Sequence, residues 1–308
     1  MKLKQFFMGA GRADVFFVGE KRLAQLKAEG RYSCYRNTRA TLRKISLFTK
    51  GKSLPASNVT VEWVVAFQRF LLHQLGNSHN TTVENLKVLS MLLEESGIKD
   101  NPCRKVPISR IPTKRQYLLG EELDRLMSYR LIKDSEQETA RDIFYVECRT
   151  GLRISDLLCL RWQDYDGSFI RLRMQKTGRF IELPVVRSVQ VILEKYRNLF
   201  SAPDMFVFPF LQKEKNSNED FSLSRAIIYA TSRINLHIKK LAQSAGIGKN
   251  VSTHVGRHTF ATMLVSKGAS IYEVKELLGH QDVKVTQIYA HLLDTRKRQL
   301  VELLERKD

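Results

Sequence analysis

The stretch "RTGLRISDLLCLRW" (residues 149–162) brackets a glycine between two arginines and then runs into leucines. Arg149 reads as cover for a helix end. Arg153 is harder to place, because it stands where the apolar pattern begins and a charge there needs a partner. The meaning of the stretch depends on what the rest of the chain brings to it.

The chain has 308 residues, 43% of them hydrophobic. That is enough for two ordinary domains and at least one large core. Lys and Arg number 51 against 32 Asp and Glu, a formal net charge of +19. Such a surplus favours a polyanion as partner over a merely basic surface. No apolar run of membrane-spanning length occurs. The opening "MKLKQFFMGAGRADVFF" has no long apolar run followed by a cleavage site, so it does not read as a signal peptide. Cys34, Cys103, Cys148 and Cys159 form no CxxC pair. They read as small hydrophobes in a protein of the reducing cytoplasm.

Residues 1–112 hold 19 basic and 8 acidic side chains, a net of +11. The remaining 196 residues hold 32 and 24, a net of +8, so the shorter part carries more than half of the excess. It reads as helical. In "YRNTRATLRKISLF", Tyr35, Leu42 and Ile45 share a face, while Arg36, Arg39 and Arg43 form a separate basic stripe. "TVEWVVAFQRFLLHQL" spaces Trp63, Phe67, Phe70 and Leu71 as a helix does. "TTVENLKVLSMLLEESGI" opens on a capping-box pattern, Thr81 with Glu84, and stops at Gly97. The next segment, "KDNPCRKVPISRIPTKRQYL", combines prolines 102, 107 and 112 with six basic residues. It reads as an extended linker that follows a nucleic-acid backbone, with Arg104 and Lys105 joining the helical stripe as candidate phosphate contacts.

Helical periodicity resumes in "TKRQYLLGEELDRLMSYR" and in "ETARDIFYVECRTGLRISDLLCLRW". It gives way to alternation around Lys-Thr-Gly in "SFIRLRMQKTGRFIELPV", a hairpin with Lys176 at its tip. Segment 212–220 is polar and reads as a loop, and helical patterns continue to the end. No internal repeat is evident.

Near the C-terminus, "STHVGRHTFATMLVSKGA" sets His254, Arg257 and His258 at a helix start, with Ser252 or Thr253 as cap and Gly268 as stop. Spacing of three puts His254 and Arg257 on one face. A zinc-protease helix would need Glu after the first histidine, and Val255 stands there, so no metal site is expected. In "SIYEVKELLGHQDVKVTQIYAH", Ser270 and Glu273 form a capping box, Gly279 ends the helix, and His280 sits at the break. Tyr289 follows in a helical stretch. Alone it is ordinary packing. Together these groups suit phosphodiester chemistry: arginine forks for phosphate oxygens, histidines for protons, a mobile lysine for a leaving oxygen, and a phenol as nucleophile.

Four segments, "TGLRISDLLCLRW", "MQKTGRF", "THVGRHTFAT" and "LLGHQDVKVTQIYAH", resemble the motifs of the tyrosine recombinases, or phage-type integrases, in the same order and at similar separations. The resemblance is strong over residues 115–295 and weaker before them. It implies a mainly α fold with a small antiparallel sheet in the C-terminal domain, in a two-domain architecture that clamps DNA. The domains would be a helical, SAM-like core-binding domain (1–105), a basic linker (106–116) and a catalytic domain with a helical tail (117–308). Carried over residue by residue, it makes Arg153, Lys176, His254, Arg257 and His280 catalytic and Tyr289 the nucleophile. Asp156 would orient Arg153 from behind, and His258 would be a supporting residue. Gly256 departs from the Leu of many members, and the lost side chain is expected to loosen local packing.

The activity so implied is site-specific cleavage and rejoining of duplex DNA through a 3′-phosphotyrosyl ester, for integration, excision or inversion. It needs neither metal nor nucleotide cofactor. The implied partners are inverted-repeat DNA sites, further copies of the chain in a dimer and a synaptic tetramer, and an accessory DNA-bending factor, with no membrane. Leu292, Leu293, Leu300, Leu303 and Leu304 would form a tail stripe that docks on a neighbour. Two alternatives differ in outcome: a type IB topoisomerase would relax DNA without exchange, and an inactive architectural or regulatory protein would bind without forming an adduct.

Overall fold

Asp14 opens the first helix by offering its carboxylate to two otherwise orphaned amides. Its Oδ1 accepts from Phe16 N at 2.8 Å and from Phe17 N, while Oδ2 accepts from Ser53 Oγ at 2.6 Å and Leu54 N at 2.7 Å. One side chain thus caps α1 (Val15–Ala28) and ties a distant loop to it. The computed structural model describes residues 13–112, 115–214, 220–283 and 286–289. They fall into two compact units, one within residues 1–113 and 217–225, the other within 114–216 and 226–308. The proposed tail stripe, 292–304, lies outside the described residues.

In the first unit α1 is followed by α2 (Tyr32–Phe48), α3 (Val61–Arg69), a π-turn over Phe70–Gln74, and α4 (His79–Glu95). Gly19 lets α1 and α2 approach, since a Cβ there would lie 2.5 Å from Leu42 Cδ2. The Phe48 ring centroid is 5.0 Å from that of Trp63, 5.4 Å from Phe67 and 5.2 Å from Phe70. The expected aromatic spacing is therefore the core of the unit, with Phe67 and Leu71 fully buried. Burial of each such side chain contributes about 1.5–3 kcal/mol. The start of α4 differs from expectation. Ser78, not Thr81, is its cap: Ser78 Oγ accepts from Thr81 N at 3.2 Å. Ser78 supplies the same hydroxyl three residues earlier, which adds a turn to the helix.

The basic segment after α4 is fastened rather than loose. Pro102–Arg104 make one 3₁₀ turn, and Val106 and Ile108 pack on the core of the unit. His79 Nε2 lies 2.8 Å from Ser109 O, and Asn80 bonds both backbone groups of Ile111 at 2.9 Å. Prolines leave this stretch short of its own hydrogen bonds, and α4 side chains supply them.

The second unit contains α5 (Gly120–Ser128), α6 (Glu136–Thr150), α7 (Ile154–Leu158), β1 (Phe169–Arg173), β2 (Phe180–Pro184), α8 (Arg187–Lys195), most of α9 (Asp220–Ser244), α10 (Thr253–Ser266), α11 (Ile271–Leu278) and a 3₁₀ turn over Gln287–Tyr289. The two strands are antiparallel. Ile170 faces Leu183 and Leu172 faces Ile181, all buried, while Arg171 and Glu182 pair on the outer face at 2.9 Å. Of the polar segment 212–220, a 3₁₀ run covers Pro209–Glu214 and α9 begins at Asp220, while 215–219 lie outside the described residues.

The stretch 149–162 is two helices with a break, not one. Gly151 ends α6 at φ +67°, a left-handed conformation that favours glycine. A Cβ at Gly151 would also collide with the Phe260 ring, so the same residue lets α10 pack across the turn. Arg153 then caps α7 in an extended conformation, φ −72° and ψ 150°.

Candidate active site

The break between α6 and α7, the hairpin and the N-terminal half of α10 meet in the second unit. Arg257 is the most deeply set of the candidate cations, 8% exposed. Its Nη1 donates to Gly151 O, and its Nη2 donates to Leu278 O at 2.6 Å. Both carbonyls close helices, α6 and α11, so the guanidinium answers two helix C-termini at once. Burial first, and then the neighbouring Arg153, lower its pKa to about 10. It is still charged at neutral pH, and its remaining donors are available to an anion.

Arg153 is half-buried, and its Nη1 lies 3.4 Å from Met174 Sδ at the base of the hairpin. Asp156, expected to orient Arg153, also holds the hairpin. It is 2% exposed, and its Oδ1 accepts from Gln175 N at 2.8 Å, which pins the hairpin turn to α7. Burial raises its pKa, against the Gln175 amide and the charge of Arg153. Asp156 therefore meets Arg153 through its charge and the Arg153 backbone while its bond to Gln175 N holds the hairpin.

Lys176 is exposed in the turn between β1 and β2. That turn is clipped to the end of α11, because Arg179 pairs with Glu276 and its Nη1 lies 3.4 Å from His280 O. Gly279 ends α11 at φ +61°, and a Cβ there would lie 2.7 Å from Met174 Cε. His280, 9% exposed, lies 2.8 Å through Nδ1 from Thr286 Oγ1. Burial, with Arg257, Arg153 and Arg115 nearby, lowers its pKa to about 4.

The N-terminus of α10 carries the two other histidines. Its capping differs from expectation: Ser252 occupies the cap position without a side-chain bond, and Asn235 Oδ1 of α9 accepts from Thr253 N at 2.8 Å. His254 keeps part of its surface in solvent, and the burial of the rest, with Arg257, Lys176, Arg115 and Arg153 nearby, lowers its pKa. His258, one turn on, is not a background residue. Its Nδ1 lies 2.5 Å from the Tyr289 hydroxyl, and burial with Arg115, His254 and Arg257 lowers its pKa to about 4. Tyr289 is 5% exposed, and burial raises its phenol to about 12 against the pull of Arg115 and Arg257. Six residues expected to act together, Arg153, Lys176, His254, Arg257, His280 and Tyr289, thus share one neighbourhood.

Comparison with known proteins meets this geometry. The Phage integrase family model matches residues 116–296, and the Phage integrase SAM-like domain model matches residues 15–107. A tyrosine recombinase of Thermosipho africanus is 32% identical over 72% of this chain and 74% of its own length. The chain belongs to the tyrosine recombinase, or phage integrase, family. The tyrosine recombinase XerD of Lacticaseibacillus casei is 30% identical, covering 73% of this chain and 77% of its own. A Tn1549 transposon integrase structure, in complex with transposon right end DNA, shares the fold at TM-score 0.65 and 17% identity, covering 94% of this chain and all of that one. A lambda integrase dimer bound to a core site shares it at TM-score 0.63 and 16% identity, covering 90% and 95%. Family and fold are those of site-specific tyrosine recombinases, which act through a phosphotyrosyl intermediate.

Two residues of this family member were missed in the sequence. Arg115 lies near the start of the second unit, before α5. The backbone after it is docked on α10, with Leu118 N donating to Thr259 Oγ1 at 2.9 Å. Arg115 pulls on the titration of His254, His258, His280 and Tyr289. Its only signal was membership of a basic run. Glu147 is 1% exposed beside Arg257, and burial drives its pKa well above the carboxylate range. It also corrects the reading of Gly256. A Cβ at Gly256 would lie 2.7 Å from Glu147 Oε2 and 3.2 Å from Phe144 Cε2. Packing is not loosened, because the Glu147 carboxyl fills the space.

The candidate phosphate contacts of the first unit look different. Arg36, Arg39 and Arg43 are exposed along α2, and none joins an ion pair among the described residues. Arg104 instead pairs with Glu94 at 2.9 Å, and Lys105 with Asp100. Among the described residues, no helix is long and apolar enough to cross a membrane.

Proposed function

We propose that Tyr289 is the nucleophile of a site-specific DNA recombinase, attacking the scissile phosphorus of duplex DNA to give a 3′-phosphotyrosyl ester. The observation that carries this reading is the buried Tyr289, whose hydroxyl meets His258 and feels the charges of Arg115 and Arg257, the latter held by two helix ends. Arg153 and Arg257 offset the charge that builds on the equatorial phosphate oxygens. His254 and His280 donate to the same oxygens. Lys176, on its hairpin turn, protonates the departing 5′-oxygen. A 5′-hydroxyl of the partner duplex then attacks the ester. The ester conserves the bond energy, so this chemistry draws on neither metal nor nucleotide.

The partners follow from this chemistry: DNA with inverted-repeat sites, a dimer on one site, a tetramer at synapsis and an accessory DNA-bending factor, acting in the cytoplasm of a prokaryotic cell. Arg36, Arg39 and Arg43, with Arg104 and Lys105 once their acids release them, follow the phosphate backbone. The domains run 1–105 and 117–308 about the linker 106–116.

The test is to incubate wild-type and Tyr289→Phe protein with fragments of the source genome, trap adducts with detergent, and sequence the linked ends. Wild-type adducts clustered at paired inverted sequences, with none from Tyr289→Phe, are expected. Scattered adducts with relaxation and no strand exchange would mean a topoisomerase. A folded wild-type protein that binds DNA but never forms an adduct would mean a regulator.

A further inference from the structure

Tyr289 has a single proton to lose, and among the described residues His258 lies within hydrogen-bond distance of its hydroxyl. His258 Nδ1 stands 2.5 Å from the hydroxyl, with the two rings 5.8 Å apart and inclined by 58°. His254, a turn earlier on α10, faces solvent. The family resemblance had put His258 in support, yet the contact is with the attacking atom itself. We propose that His258 is the general base of DNA cleavage, receiving the Tyr289 proton on Nδ1 as the tyrosine oxygen bonds to phosphorus. This rests on the reading of Tyr289 as nucleophile.

The site explains why a base is needed. A phenol raised to about 12 is almost wholly protonated at neutral pH, so no phenolate waits for the substrate. The proton must leave as the bond forms. His258 is able to take it. The titratable and charged groups facing it are Arg115 from the segment before α5, His254 and Arg257 from its own helix, and His280 beyond α11. With burial they keep the imidazole neutral, and the tautomer protonated on Nε2 leaves Nδ1 as acceptor. A phosphodiester entering among Arg115, Arg153 and Arg257 offsets those positive charges. The imidazole becomes more basic when the substrate is in place, and stays neutral before.

The balance closes. The bond from Tyr289 Oη to phosphorus forms, the bond from phosphorus to the 5′-oxygen breaks, and the phenolic proton moves to His258 Nδ1. The 5′-oxygen takes its proton from Lys176. In rejoining, the incoming 5′-hydroxyl returns a proton to Lys176, and the imidazolium returns its proton to the departing tyrosine. One phosphodiester replaces another, with no oxidant or co-reactant.

The test measures single-turnover adduct formation at saturating DNA, using a genomic fragment on which wild-type protein forms adducts. The fragment carries a sulfur in place of the bridging 5′-oxygen, because a thiolate leaves without a proton and Lys176 drops out of the rate. His258→Asn keeps a polar group near the hydroxyl but cannot take its proton. A fall of about 10²–10⁴-fold at pH 7 is expected, with a rate that climbs toward alkaline pH where the wild type has levelled. Replacing Tyr289 of this variant with trifluorotyrosine, a far more acidic phenol, should recover most of the loss, which a packing defect would not allow. Should His258→Asn fail to fold, the same measurements on His258→Gln, or trifluorotyrosine in otherwise wild-type protein with a flattened pH profile, decide the matter. A His258 variant within threefold of wild type, with the same pH profile, would overturn the proposal while leaving Tyr289 as nucleophile. Adducts from Tyr289→Phe would instead overturn the underlying reading.

Discussion

The arginines of the two units solve opposite problems. Arg36, Arg39 and Arg43 lie in solvent along α2, on long side chains that nothing among the described residues pairs. Arg257 is buried, held by the carbonyls that end α6 and α11, and it stays cationic although burial works against it. An exposed stripe attracts a polyanion over distance and conforms to it, at the expense of side-chain freedom lost on binding. A buried and bonded guanidinium is already aimed before the substrate arrives. The first arrangement governs affinity and its salt dependence, and the second governs the chemical step.

The contrast is most exposed to attack at Arg257. Arg257→Lys keeps the charge but cannot serve two carbonyls and a phosphate with one planar fork. The rate of adduct formation at saturating DNA should fall on the order of 10²-fold or more. A variant with a near-normal rate would mean that charge alone suffices and that the fixed geometry is incidental.

Gly256→Leu comes next. The new side chain must enter the space that Glu147 and Phe144 occupy, so overpacking should cost about 1–3 kcal/mol in urea unfolding. Adding Glu147→Ala should return part of it. Unchanged stability in the single variant would show that the carboxyl does not sit there.

Replacing Arg36, Arg39 and Arg43 together with Ala should weaken DNA binding and flatten the plot of log affinity against log salt by up to about 2.7, three phosphates at 0.9 each. An unaltered slope would remove α2 from the DNA-facing surface.

The smallest effect concerns pH. His258 and His280 fall from 6.5 to about 4 in the folded chain. The folded state thus binds fewer protons than the unfolded one between those values, and these histidines make stability fall as pH drops from 6.5 toward 4. The raised Glu147 and Asp156 oppose this trend, so a difference is the useful measure. The melting midpoint of wild type should drop more steeply over that window than that of His258→Asn. Parallel curves would mean that His258 is not held neutral.

Much of this was legible in the chain because local rules carried it. Alternation around Lys176 announced a hairpin, Ser270 and Glu273 announced the start of α11, and Gly279 its end. The order of four motifs then announced the family. What stayed hidden depends on contacts between distant segments. Nothing local says that Asn235 would cap α10, or that Glu147 would take the room left by Gly256. Arg115 looked like one more linker charge until Leu118 docked on Thr259. His258 read only as a supporting residue, because its partner lies thirty-one residues away.

The most direct test of the central claim is to identify the residue that carries DNA. Wild-type protein trapped on its cleaved site would be digested with nuclease and protease, and the nucleotide-bearing peptide sequenced by mass spectrometry. The account predicts a nucleotide on Tyr289. A nucleotide on any other residue, with Tyr289 unmodified, would contradict it.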